Sequence, residues 1–184
     1  MSAAERISTR PITLLAKGSV QCERLATVCQ KLPSRPSLAS ETLLRELHAK
    51  SPHNDVRAQA RFHLAVYLQR QLALIKALKK DEVNRQQFEQ FYGKDFIGHL
   101  AGLNTSASLK EIESIYEDVV RSFPDVRLDD STMGETARRQ LYAIRNLSIG
   151  RTAPEITGQD VDGKTIKLSD YRGKVVLLDF WGHW

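Results

Sequence analysis

The chain has 184 residues, 41% of them hydrophobic, and 27 Lys and Arg against 22 Asp and Glu give a net charge of +5. That apolar content is enough for a real core and excludes a disordered tail, and bases interleaved with acids (Arg45 beside Glu46, Lys110 beside Glu111, Arg121 near Asp118) make a solvated surface and not a nucleic-acid stripe. No run approaches the ~20 apolar residues of a membrane span; Thr13, Lys17, Gly18 and Ser19 interrupt Ile12 to Val20 before a secretory signal could develop, so the chain reads as cytoplasmic by default.

Leu15, Gly18, Cys22, Leu25, Cys29 and Leu32 recur at alternating spacings of three and four, which predicts one helix from about Ile12 to Leu32. Pro33 and Pro36 stop it. The two cysteines are seven residues apart in that stripe, roughly 10 Å along a helix axis. A disulfide needs Cα atoms within about 7 Å, so the two cannot pair within one intact helix and are expected to be small buried hydrophobes; the alternative, a displaced redox pair, would require the helix to unwind.

A weak internal repeat follows. Leu47, Ser51 and Pro52 match Val119, Phe123 and Pro124 at a constant offset. Ala58, Phe62, Ala65 and Leu68 then match Ala137, Leu141, Ile144 and Leu147, with seven extra residues between the helices of the second copy. Each copy is an amphipathic helix, a Pro-containing turn and a second amphipathic helix, an organisation similar to tetratricopeptide-like helical-hairpin arrays. Between the copies, Arg57 to about Phe91 is one long helix or two, with Lys79-Lys80-Asp81-Glu82 as the place for a break. Tyr92 to Phe96 and Ala101 to Asn104 read as turns around a short helix. Capping boxes are expected at Ser108 to Glu111 and at Thr132 to Glu135, where a hydroxyl and a carboxylate three residues later satisfy free amides. Leu109, Ile112, Ile115, Tyr116, Val119, Val120 and Phe123 then form a continuous apolar face. His48, His53, His63 and His99 lack the paired spacing of a metal site, and there is no phosphate-binding glycine loop.

The C-terminal stretch changes character. Glu155 to Val161, Asp162-Gly163 and Lys164 to Leu168 predict a β-hairpin around a tight turn with positive φ values. Ser169 to Arg172 is a short helical turn, and Gly173 frees the chain for Lys174 to Phe180. The run Val175-Val176-Leu177-Leu178 predicts a strand buried on both faces, with Asp179 its one polar member.

Gly150-Arg151-Thr152-Ala153-Pro154-Glu155-Ile156, Asp162-Gly163-Lys164, Leu168-Ser169-Asp170-Tyr171-Arg172-Gly173-Lys174 and Asp179-Phe180-Trp181 occur in the order and spacing of one known family. Residues 149–184 closely resemble the opening of the redoxin family, which includes the alkyl hydroperoxide reductase/thiol-specific antioxidant proteins and the TlpA/ResA thiol-disulfide oxidoreductases. The resemblance implies a thioredoxin-like fold and disulfide reduction or exchange with protein thiols and disulfides, using no metal or organic cofactor. It puts Asp179 at the position of the buried acid beneath the catalytic cysteines, where desolvation raises the pKa and lets the carboxylate accept a proton from the resolving cysteine. Trp181 and Trp184 match the flanking aromatics that shield the disulfide and dock partners. His183 falls where the family varies. The Trp-x-x-Trp arrangement favours the Cys-x-x-Cys oxidoreductase branch over true peroxiredoxins.

The resemblance also implies that the first catalytic cysteine would come directly after Trp184, which predicts a truncated and inactive redoxin. Relatives of the TlpA/ResA type commonly work outside the cytoplasm, so an intracellular redoxin and a misplaced start both stay open. The fold expected is therefore mainly α, with repeat-like helical hairpins over residues 1–148, followed by an incomplete α/β thioredoxin-like fold over residues 149–184. Thirty-six residues lie below the ~40 at which an isolated chain usually folds alone, and an unpaired buried strand would be a pairing or aggregation site. The alternative is a non-enzymatic helical adaptor whose concave face binds a protein partner, with residues 149–184 as an extension or β-addition strand.

Overall fold

The computed structural model describes residues 21–79, 82–179 and 181–182, with backbone alone for 82–84. The chain divides into two compact units, Met1–Leu141 and Tyr142–Trp184. It is mainly α: seven helices and two small two-stranded sheets occur among the described residues. None of those helices is long and apolar enough to cross a membrane.

The first unit is built around one central helix. Helix α1 (Leu25–Lys31) runs into a 3₁₀ turn, Leu32–Ser34, with Pro33 at its start, where a missing N–H costs nothing. Helix α2 (Leu38–Lys50) begins where the Ser37 hydroxyl accepts the Ser40 N–H at 3.2 Å. Helix α3 (Asn54–Leu78) then packs against both, and against α6. It buries residues on most sides, among them Val56, Ala60, Leu64, Tyr67 and Leu68. A helix covered by neighbours on several faces needs no single polar face.

Several polar atoms inside this packing find partners on neighbouring segments. The Tyr67 hydroxyl donates to Ser37 O at 2.7 Å, and the buried Gln71 amide donates to the Tyr67 oxygen and to Glu41 Oε2, each at 3.2 Å. The Tyr116 hydroxyl donates to Gln69 Oε1 at 2.6 Å. Burial pushes both tyrosine hydroxyls well above their ordinary pKa.

Two helices follow α3: α4 (Glu82–Tyr92) and α5 (Lys94–Ala101). The stretch from Arg57 to Phe91 is therefore two helices, with α3 ending as the Lys79 N–H bonds back to Ile75 O. Gly93, at φ +88°, makes the turn into α5. Helix α6 (Thr105–Ser122) starts one turn earlier than a Ser108 capping box would place it. The Asn104 carboxamide oxygen takes the Ser106 and Ala107 N–H groups at 3.0 and 3.1 Å, and Ser108 lies inside the helix, its hydroxyl bonded to Asn104 O. Along α6, Ile112, Ile115, Tyr116 and Val119 are buried, Val120 is half-buried and Leu109 is exposed.

The extra residues in the second repeat copy form a β-hairpin. Strands β1 (Arg127–Leu128) and β2 (Ser131–Thr132) pair antiparallel ahead of α7 (Met133–Asn146). Here the capping box is realised. Thr132 Oγ1 accepts the Glu135 N–H at 3.2 Å, and Glu135 Oε2 accepts the Thr132 N–H at 3.1 Å. Gly134 allows the close approach of this corner, because a Cβ there would lie 2.7 Å from Pro124 O and 2.8 Å from Pro124 Cα. Ala137 and Leu141 are buried as Ala58 and Phe62 are, whereas Leu147 is 61% exposed, so the stripe of the second copy stops at Leu141.

The predicted helix over Ile12 to Leu32 is corrected within the described residues. Residues 21–24 form a turn closed by Leu25 N–H to Cys22 O, and regular helix begins at Leu25. Cys22 precedes the helix, so the helical period does not turn it inward: it is exposed, and Cys29 alone of the pair is buried. Residues 12–20 lie outside the described residues.

Candidate functional site

In the second unit β3 (Thr157–Gln159) pairs antiparallel with β4 (Thr165–Lys167), in the register Thr157 to Lys167, Gly158 to Ile166 and Gln159 to Thr165. The loop between them is organised by Asp160. Its Oδ1 accepts the Asp162 and Lys164 N–H groups at 3.0 and 2.9 Å, and its own N–H reaches Lys164 O at 2.9 Å. Of the Asp-Gly pair only Gly163 has positive φ, +78°. The hairpin is as predicted from Asp162-Gly163, but its turn is wider because the Asp160 carboxylate supplies the acceptor for two loop amides.

A 3₁₀ turn, Leu168–Tyr171, follows β4 and is clamped by Glu155. Glu155 Oε1 accepts the Ser169 N–H at 3.0 Å and the Ile156 N–H at 3.1 Å, and Leu168 N–H bonds to Ile156 O at 2.9 Å. Hydrogen bonds from Ser169 hold the exposed Glu155 carboxyl below the usual range. Gly173, at φ +82°, then turns the chain, and Lys174 N–H bonds to Tyr171 O while its ammonium stands 5.9 Å from the Tyr171 ring centroid.

Beyond Gly173 the observed conformation differs from the predicted buried strand. Residues 174–179 carry no paired strand, and Val175 and Leu177 are 103% and 91% exposed. The physical reason is local. A strand gains its stability from a neighbour's hydrogen bonds and from cover on its faces, and no described strand lies alongside this run. Asp179 is exposed at the end of the stretch, and Trp181 is 82% exposed. Phe180, His183 and Trp184 lie outside the described residues. The candidate site residues Asp179 and Trp181 thus lie exposed beyond the clamped hairpin and turn.

Residues 149–184 match the AhpC/TSA family. The match to a redoxin family is confined to this segment. Curated proteins similar to the chain include the thiol-disulfide oxidoreductase ResA of Geobacillus thermodenitrificans, 47% identical over 38 residues, which are 21% of this chain and 22% of the relative. ResA of Geobacillus kaustophilus is 50% identical over 38 residues, with the same coverage of both chains. ResA of Bacillus subtilis is 42% identical over 53 residues, 28% of this chain and 30% of the relative. The chain thus spans between a fifth and a third of the length of these curated relatives. No solved structure matches the chain.

The redoxin resemblance did not bring out the role of Glu155 as a clamp or of Asp160 as a loop acceptor. The available signal for Asp160 was an acid two residues before Asp162-Gly163, the spacing of an Asx-type turn. Three histidines of the first unit take structural positions. His48 Nδ1 is 3.3 Å from Arg57 O, and His53 Nε2 is 2.8 Å from Gln21 O. His63 is buried with Nε2 3.2 Å from Gln59 Oε1. Among the described residues no group of three or more His, Cys, Asp or Glu is placed to hold a metal ion.

Proposed function

We propose that the protein is a thiol-disulfide exchange protein of redoxin type, in which a helical domain over residues 1–148 precedes the opening of the catalytic domain at residue 149. The observation that supports this reading is the family match over residues 149–184, in a segment that forms the hairpin, the Glu155-clamped turn and the approach to Asp179. In the reaction a thiolate attacks a protein disulfide, forming a mixed disulfide and releasing one substrate thiolate. A second thiol then loses its proton to a carboxylate, attacks the mixed disulfide and frees the reduced substrate. Asp179 is the carboxylate we assign to that proton, and Trp181 and Trp184 are the aromatics assigned to the docking surface.

The 184-residue polypeptide by itself does not turn over in this scheme. Its two cysteines are Cys22 and Cys29, both in the first unit. Burial pushes the Cys29 thiol up to about 12, so its reactive thiolate is scarce at neutral pH. Insulin reduction with dithiothreitol tests the scheme in two arms. The chain should reduce insulin no faster than its Cys22→Ser, Cys29→Ser variant, and turnover above that variant refutes the assignment of inactivity. Extending Trp184 with the corresponding remainder of Bacillus subtilis ResA should restore turnover, and Asp179→Asn should then slow release of the mixed disulfide near neutral pH. An extended chain that folds but stays inactive would overturn the redoxin reading.

A further inference from the structure

The run Val175-Val176-Leu177-Leu178 has no neighbouring strand, and its backbone makes no hydrogen bond to a described residue. Its exposure alternates along the chain. Val175 and Leu177 are 103% and 91% exposed, Val176 and Leu178 only 41% and 51%. A period of two is what a pleated segment shows when one of its faces is partly covered. Val176 shares a hollow of about 210 Å³ with Ala153, Pro154, Leu168 and Tyr171, so the partly covered side is the one toward the chain's own 3₁₀ turn. Four successive apolar residues without proline, carrying open N–H and C=O groups, make a template for pairing with another chain.

The run is complementary to itself. Lys174 precedes it and Asp179 follows it, both exposed. Parallel pairing of two copies would set Lys174 against Lys174 and Asp179 against Asp179, and like charges placed opposite each other weaken a ladder. Antiparallel pairing brings the Lys174 end of each copy to the Asp179 end of the other. Residues directly opposite in an antiparallel pair share a face, so a two-fold symmetric register must be centred on a residue. Centring on Leu177 would set the Asp179 carboxylate opposite the Val175 side chain. Centring on Val176 instead sets Val175 opposite Leu177 twice and places Asp179 next to Lys174 of the other copy. That pairing stops at Gly173, whose φ of +82° lies outside the β region.

We propose that residues 174–178 pair antiparallel with residues 174–178 of a second copy of this chain, Val176 opposite Val176, so that two chains associate through their C-terminal units. The second copy supplies the backbone partners that each run lacks, and Val175 and Leu177 of both copies meet on the bare face. One two-stranded pair is marginal in water, so the association is weak and depends on concentration. It involves no thiol chemistry and stands apart from the redoxin reading.

The test is sedimentation equilibrium of the full chain carrying Cys22→Ser and Cys29→Ala, from about 1 µM to about 1 mM, which spans the Kd of a weak contact. The average mass should rise from one chain toward two and stop there. Val175→Lys with Leu177→Lys, both at exposed positions, should weaken association about tenfold or more by setting four ammonium groups on one face. Air oxidation of Val176→Cys and Val175→Cys, each in the same background, reads the register. Val176→Cys should form the interchain disulfide about tenfold faster, because opposed Cα atoms lie about 4.5–5.5 Å apart and diagonal ones about 7–8 Å, beyond the usual span of a disulfide. A chain that stays single at every concentration overturns the inference. So do assembly that continues past two, association unchanged in the double lysine variant, and equal oxidation of the two cysteine variants.

Discussion

Arg61 Nε lies 2.8 Å from Asp118 Oδ2, an ion pair that ties α3 to α6 with both side chains about four-fifths buried. Asp118 also accepts from Arg121 at 2.8 Å and from the Ser122 hydroxyl at 3.2 Å. Partial burial alone would push its carboxyl up, but the Arg121 hydrogen bond, the Arg61 charge and the Ser122 hydroxyl outweigh it and hold the pKa below its ordinary value. A carboxyl depressed in the folded state stabilises the fold above its unfolded pKa, near 4, and loses that contribution as pH falls through the folded value. Asp118→Asn should therefore cost up to about 1 kcal/mol at pH 7 and progressively less below about pH 4. Urea unfolding of both proteins at pH 7 and pH 3 reads the difference; a cost independent of pH would argue against a charge-based role.

His63 titrates in the opposite chemical sense but with the same consequence. Burial lowers its pKa to about 4, with the Asp129 charge opposing only in part. Between about pH 6.5 and that value the unfolded chain binds a proton that the folded chain refuses, so stability falls as pH falls. His63→Gln, which cannot charge, should flatten the stability profile across that window by as much as ~3 kcal/mol. His48, whose pKa burial also lowers, contributes equally to both proteins. Parallel profiles for the two proteins would contradict the prediction.

Gly134 and Gly98 make a contrasting pair. A Cβ at Gly134 meets the Pro124 backbone, which cannot swing away, while one at Gly98 meets nothing within 4 Å. Gly134→Ala should lower stability by about 1–3 kcal/mol. Gly98→Ala, inside α5, should raise it by about 0.5–1 kcal/mol through the unfolded chain's lost freedom. Thermal unfolding of the two variants decides, and shifts of the same sign would refute the argument.

Capping separates Thr132 from Ser108 in the same way. Thr132→Ala removes the acceptor of the Glu135 amide and should cost about 1 kcal/mol. Ser108→Ala removes only a hydroxyl bonded to a carbonyl inside α6 and should cost a few tenths, whereas Asn104→Ala should cost as much as Thr132→Ala. Equal losses at Ser108 and Asn104 would mean that α6 begins later than observed.

The pattern of successes follows the reach of each signal. The Thr132 capping box, the Asp162-Gly163 hairpin and the redoxin motifs depend on residues within a few positions of one another, and all were legible. The Ser108 box failed because Asn104 offered a better acceptor one turn earlier, and a local motif has no way to rank two competing caps. Cys22 was misplaced because periodicity cannot say where a helix begins. The clamp that Glu155 closes was not legible, because it joins residues fourteen apart.

The sequence by itself determined that this protein is helical first and redoxin-like afterwards, because amphipathic spacing and family motifs are written in neighbouring residues. Tertiary structure alone decided that α3 is the central helix, that Arg61 meets Asp118, and that Tyr116 meets Gln69. Those relationships join residues far apart in the chain. Packing chooses them by excluding water and satisfying buried polar atoms together, a condition that no short stretch of sequence carries.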